Sequence, residues 1–242
     1  MTIPLEIIDL SKTYDSKEAV RNISFKVNEN EIIGILGPNG CGKTTTIGMI
    51  LGLLKPTKGK VLINGIEIEK QRVELLNELN FISPYIELPK KLTVKQNLEV
   101  YGRLYDVKKL GIKIDYLCEK LRLNEFINKI TGELSSGQKN RVSLAKSIIN
   151  DPSVLLLDEP TAGMSPQETS VAIALVDEIA RARKLTLLFT EHDMSVVFGI
   201  ADRISVLHHG EIIASGAPDA VRSDPEVRRV YLGESDDAAA WS

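Results

Sequence analysis

The chain has 242 residues, of which 43% are apolar, 26% charged and 5% aromatic. That is enough for one sizeable core, or a core with a lobe attached, and it excludes a disordered, collagen-like or disulfide-stapled chain. A net charge of -3 leaves no global basic field, so no nucleic-acid partner is expected.

The opening, MTIPLEIIDL, has no basic stretch followed by an apolar one, so no secretory signal is expected. EIIDLSKTY and NISFKVN read as β-strands by β-branched content and partial alternation. EIIGILG is a short apolar run of the kind a fully buried strand shows. Apolar runs such as 32–36 and 154–157 fall far below the roughly 18 residues of a membrane span. A glycine-rich stretch, 37–44, leads into the helix-like TTTIGMILGLL, and KVLINGIEI is a strand broken at Asn64-Gly65. From Thr93 to about Asn150 the pattern is helical, with Val94, Leu98, Tyr101 and Tyr105 at helical spacing; Pro152 is expected to stop the last of these helices. VLLLD is again a buried strand; SVAIALVDEIARAR is helical, LTLLFT a strand, MSVVFGIA a short helix and RISVLH a strand. The tail SDDAAAWS is expected to be disordered. Strands on both sides of a helical insert predict an α/β core over 1–232 with a helical lobe at about 93–150. Cys41 and Cys118 make no disulfide framework and suit a reducing, cytoplasmic compartment.

Residues Gly37, Pro38, Asn39, Gly40, Cys41, Gly42, Lys43 and Thr44 fit G-x-x-x-x-G-K-[ST] between a strand and a helix. The glycines let backbone N–H groups curl around phosphate oxygens without Cβ clashes, and the helix start turns its positive dipole end on the same anion. Lys43 supplies a point charge for the β- and γ-phosphates, and the Thr44 hydroxyl suits Mg²⁺. Asp158 closes the strand VLLLD, where a carboxylate beside such a loop suits Mg²⁺, and the adjacent Glu159 is placed to polarise water. Cys41 lies within the cradle, so thiol alkylation is expected to inhibit.

Between these stretches lies Leu134-Ser135-Ser136-Gly137-Gln138. With GPNGCGKTT before it and LLLDEPTAG after it, the chain closely resembles the nucleotide-binding subunits of ABC transporters over about residues 5–232. The resemblance implies a P-loop ATPase core with an antiparallel β subdomain and a helical subdomain, binding ATP and Mg²⁺. It implies two cassettes paired head to tail as a homo- or heterodimer, held at the inner face of the membrane by integral-membrane permease subunits. Gly37 to Thr45 would hold the ATP of one cassette, and Ser135, Ser136, Gly137 and Gln138 that of its partner. Tyr14, 23 residues before Gly37, matches the family's adenine platform, and His192 matches the histidine that contacts the γ-phosphate beside Glu159. His208 and His209 fit a strand-to-turn surface before Gly210.

The chain also departs from the family pattern. Pro84 stands where a glutamine reaching Mg²⁺ and water is usual, and neither Ser83 nor Tyr85 supplies an amide. Ser165 stands where an aspartate is usual, and Ser136 where a glycine is. Residues 1–150 hold 18 Lys and 12 Asn, whereas 151–242 hold 1 Lys and no Asn, so the halves read as two ancestries joined near 150–165. The first half resembles ATPases of ABC-2-type exporters, and the second those of branched-chain amino acid importers. The helical lobe that meets the permease lies in the first half, which favours an export partner over the importer alternative. A non-transport ATPase of the structural-maintenance type needs a long coiled coil, but Gly42 and Gly137 are only 95 residues apart with no sustained heptads.

Overall fold

In the computed structural model, residues 3–84 and 86–232 are described. They form β1 (Leu5–Tyr14), β2 (Lys17–Val27), β3 (Ile32–Leu36), α1 (Lys43–Ile50), β4 (Lys58–Ile63), β5 (Ile66–Glu67), α2 (Arg72–Leu75) and β6 (Leu79–Ile82). There follow α3 (Val94–Leu104), α4 (Leu110–Lys120), α5 (Ser136–Ser147), β7 (Val154–Asp158), α6 (Pro166–Arg183) and β8 (Thr186–Glu191). The chain continues through α7 (Met194–Ile200), β9 (Arg203–His208), β10 (Glu211–Gly216), α8 (Pro218–Ser223) and α9 (Pro225–Leu232). Tyr85 and the tail expected to be disordered lie outside the described residues.

Two sheets carry the fold. An antiparallel sheet runs in the order β2-β1-β4-β5, and a six-stranded sheet in the order β10-β9-β3-β8-β7-β6. All pairings in the second sheet are parallel except the β10–β9 edge. Strands β3, β7 and β8 are buried along their whole length, which is why they read as unbroken apolar runs without alternation. Their side chains still alternate between faces. Leu155, Leu157, Leu187 and Phe189 enter one core with the helices α3 to α7. Leu156 and Leu188 enter the other, with α1 and the antiparallel sheet.

The helical insert is built on local signals. Thr93 caps α3 and Ser135 caps α5, each in a reciprocal capping box with the glutamine three residues on. Val94 and Leu98 are fully buried, whereas Tyr105 ends the helix and its hydroxyl donates to Asn80 Oδ1 at 3.0 Å. Pro152 does not end α5: the helix closes at Ser147, several residues earlier, and the chain turns through Asp151 at φ 55° before β7. The structure adds short β6, edge strand β10 and helices α8 and α9 to the elements expected above; β6 and β10 take their strand form from neighbours rather than from their own periodicity. Among the described residues no helix is long and apolar enough to cross a membrane.

Candidate functional site

Strand β3 delivers the phosphate-type loop at its carboxyl end, and α1 begins at Lys43. Gly42 takes φ 114°, and a Cβ there would lie 2.6 Å from Ala19 O; at Gly37 a Cβ would lie 2.5 Å from Leu207 O. Only glycine fits either place. Lys43 is 4% exposed, and its Nζ donates to Gly37 O at 2.7 Å and stands 3.8 Å from Glu159 Oε1. The first-turn N–H groups of α1 have no intrahelical acceptor by helix geometry. Cys41 points inward: it is 3% exposed, its sulfur packs where a Gly37 Cβ would go, and burial pushes its thiol up. A buried thiol whose ionisation is disfavoured is a poor nucleophile, which argues against the expected sensitivity to alkylation.

The acids come from β7, one strand removed from β3. Asp158 is buried and accepts from Thr190 Oγ1 at 2.7 Å; burial pushes its carboxyl up, against the pull of that hydrogen bond. A cation beside it would reverse that balance. Glu159 takes φ 46°, and its N–H donates to Thr190 O at 3.0 Å. This left-handed backbone turns the Glu159 side chain toward Lys43 rather than along the strand line. Thr44 is exposed at the start of α1. Among the described residues no group of three or more His, Cys, Asp or Glu could hold a metal. The Thr44 hydroxyl and the Asp158 carboxylate are hard oxygen donors of the kind Mg²⁺ takes one or two of, completing its shell with waters and substrate phosphates.

Strand β8 lies between the other two, pairing Glu191 with Leu36 and Thr190 with Asp158. His192 follows it, with Nδ1 at 3.9 Å from Glu159 Oε1 and 3.7 Å from Glu191 Oε2. Sequence reasoning assigned Glu191 nothing, although its 30-residue separation from Thr161 hides a direct bond: Thr161 Oγ1 donates to Glu191 Oε1 at 2.5 Å.

A cleft of about 390 Å³ runs from Tyr14, 44% exposed, past Lys17, Asn39, Thr44 and Thr45 to Glu159. His209 lines it as well, so it is more than the surface turn its sequence position implied. Ser136 is elsewhere, in a separate groove of about 170 Å³ with Pro84 and Pro160, whose other wall includes Glu159. Of the 135–138 segment, Ser136 thus lines this groove and not the cleft lined by Asn39, Thr44 and Thr45, while Glu159 lines both. The segment's side chains are also engaged: Ser135 Oγ accepts from Gln138 N, and Gln138 Oε1 accepts from Ser135 N. Gly137 N donates at 3.3 Å to Glu168 Oε1, a carboxylate the sequence did not single out. Hydrogen bonds from the Ser165 and Gly137 N–H groups hold that carboxyl below the usual range, with smaller help from the Ser165 and Ser135 hydroxyls. Helix α5 is tied to the acids' loop too, through Asn140 Nδ2 donating to Pro160 O at 2.7 Å.

The sequence and the fold both match known proteins. The ABC transporter family profile covers residues 20–162, and the profile of the branched-chain amino acid ATP-binding cassette transporter covers residues 211–237. The chain is 34% identical over 235 residues to the lipopolysaccharide export system ATP-binding protein LptB of Haemophilus influenzae, covering 93% of this chain and 95% of that one. It is 31% identical to the branched-chain amino acid transport ATP-binding protein BraF of Pseudomonas aeruginosa, covering 96% of this chain and 98% of that one. Among solved structures, cbiO1 from Clostridium perfringens, part of an ABC transporter complex, superposes with a TM-score of 0.84 at 29% identity, covering 96% of both chains. The ADP conformation of another ABC transporter cassette superposes equally well, at 0.84 and 28% identity, covering 97% of this chain and all of that one.

Proposed function

The chain belongs to the ATP-binding subunits of ABC transporters, which hydrolyse ATP to power transport, and from that premise we propose how its residues divide the work. The backbone N–H groups of Asn39 to Thr45 and the Lys43 ammonium hold the β- and γ-phosphates, and the base stacks on Tyr14. Thr44 and Asp158 would hold Mg²⁺, which when bound would supply positive charge against that building on the transferred phosphoryl group. Glu159 polarises the water that attacks the γ-phosphorus as the bond to ADP breaks, and His192 contacts the departing phosphate. A second cassette supplies Ser135, Ser136, Gly137 and Gln138, and permease subunits hold the pair at the inner face of the membrane. The observation that carries this reading is the approach of Lys43 Nζ, at the start of α1, to Glu159 Oε1 at 3.8 Å in a cleft that both line and that reaches Tyr14, with Asp158 ending β7 just before Glu159. The separation of Ser136 from that cleft within one chain supports the need for a second copy.

The test uses two variants. Lys43→Ala is expected to lose ATP binding, whereas Glu159→Gln keeps it, accumulates a nucleotide-dependent dimer and lowers turnover about 100-fold or more. Wild-type turnover by Glu159→Gln would overturn the assignment.

An export permease is the partner we favour, because α3, α4 and α5 lie wholly in the Lys- and Asn-rich half. The importer reading has its own support, the match of residues 211–237 to the branched-chain amino acid cassettes. Copurification with a single exporter-type permease, rather than with paired importer permeases, decides between them.

A further inference from the structure

We propose that Glu191 is a positioning residue for hydrolysis: from inside the core it binds the loop after Glu159 and the start of the His192 segment into one unit. The proposal rests on the roles given above to Glu159 and His192, and adds a residue to them.

Glu191 ends the strand at the centre of the site and is fully buried. Burying a carboxylate there is costly unless every oxygen finds a donor. Both do. Oε1 accepts from Thr161 N at 3.1 Å and Thr161 Oγ1 at 2.5 Å, while Oε2 accepts from His192 N at 3.2 Å and lies 3.7 Å from His192 Nδ1. Among the described residues no Lys or Arg forms an ion pair with it. Its partners are therefore two loops rather than a counter-ion.

The choice of side chain follows from that. A hydroxyl has one oxygen and cannot reach two segments, whereas a carboxylate presents two oxygens and accepts from both at once. Thr161 stands two residues after Glu159, and His192 is the next residue after Glu191. A shift of the 160–164 loop is thus felt at His192 through one rigid group. Misplacement by about 1 Å is enough to cost on the order of 100-fold in rate, so a clamp that fixes the phosphate-contacting His192 against the 160–164 loop has a direct kinetic consequence.

The experiment is a double-mutant cycle on the purified full chain, reading kcat and KM for MgATP. Glu191→Gln keeps the shape but replaces one acceptor with a donor facing donors. It is expected to lower kcat about 10- to 100-fold with KM within about twofold, the scale of losing a group that orients a functional histidine. Because Glu191 acts through His192, adding Glu191→Gln to His192→Ala is expected to change kcat by less than about twofold further. Losses that multiply in the double variant overturn the proposal, as does an unchanged kcat in Glu191→Gln or a loss confined to KM. If Glu191→Gln does not fold, Thr161→Val removes one donor without changing side-chain shape. The same cycle then applies, with a fall of about 3- to 10-fold expected and multiplying losses again overturning the idea. Wild-type turnover in His192→Ala would instead strike the reading of His192 itself, and this proposal with it; loss in His192→Ala with multiplying effects strikes this proposal alone.

Discussion

At Glu159 the backbone takes φ 46°, a left-handed conformation that costs a non-glycine residue about 1 kcal/mol or more. Thr190 sustains it by accepting the Glu159 N–H at its carbonyl, and the return is a carboxylate aimed at Lys43. Glycine adopts this φ freely, so Glu159→Gly is expected to raise unfolding stability by up to about 1 kcal/mol while abolishing hydrolysis. Urea titration beside an ATPase assay checks both halves of that statement. A fall in stability would show that the site is not strained there.

Helices α5 and α6 meet through their N-termini. Ser165, the residue found where the family has an aspartate, caps α6 in a reciprocal box with Glu168, and Glu168 also receives the Gly137 N–H. One carboxylate thus supports two helix starts, with the dipoles of both in its favour. Ser165→Ala removes the hydroxyl that accepts the Glu168 N–H, and is expected to cost about 1 kcal/mol, read as a lower urea midpoint with an unchanged slope. The boxes at Thr93, Ser135 and Ser165 follow the S/T-x-x-E/Q pattern and are readable from sequence. The bond from Glu168 to Gly137 joins residues 31 apart and is not, because only the packing of α5 against α6 brings them together.

Across the whole molecule, the two compositional halves are woven into one sheet. Strand β3 of the first half lies between β8 and β9 of the second, and β6 lies beside β7. Arg203 of β9 ties the arrangement at its other end, with Nε donating to Glu31 Oε1 at 2.8 Å and Nη2 donating to Lys26 O in the antiparallel sheet. Burial pushes the Glu31 carboxyl up, but hydrogen bonds from Arg203 and Asn28 outweigh it and hold the group below the usual range. A depressed carboxylate contributes stability that is present above its unfolded pKa of about 4.3 and is lost as pH falls through the lower folded value. Arg203→Ala is therefore expected to cost about 1–3 kcal/mol at neutral pH, with the gap to wild type closing below about pH 4. Because the halves share a sheet, both proteins should unfold in one transition, and calorimetry across pH tests both points.

What could be read from residues alone was what depends on neighbours in the chain. A strand, eight residues of Gly-rich loop and a helix start form one local unit, and the all-apolar strands declare burial on both faces. The strand–loop–helix form of the 32–50 stretch is legible for that reason, whereas the P-loop ATPase fold came through resemblance to a family. Strand order, and with it the meeting of Lys43 with Glu159 and of Thr161 with Glu191, came only with the packed sheet. Those contacts join residues 116 and 30 positions apart, across the parallel pairing of β3, β8 and β7. Local preference carries no trace of such distances, because their free energy arises only once both strands are buried side by side.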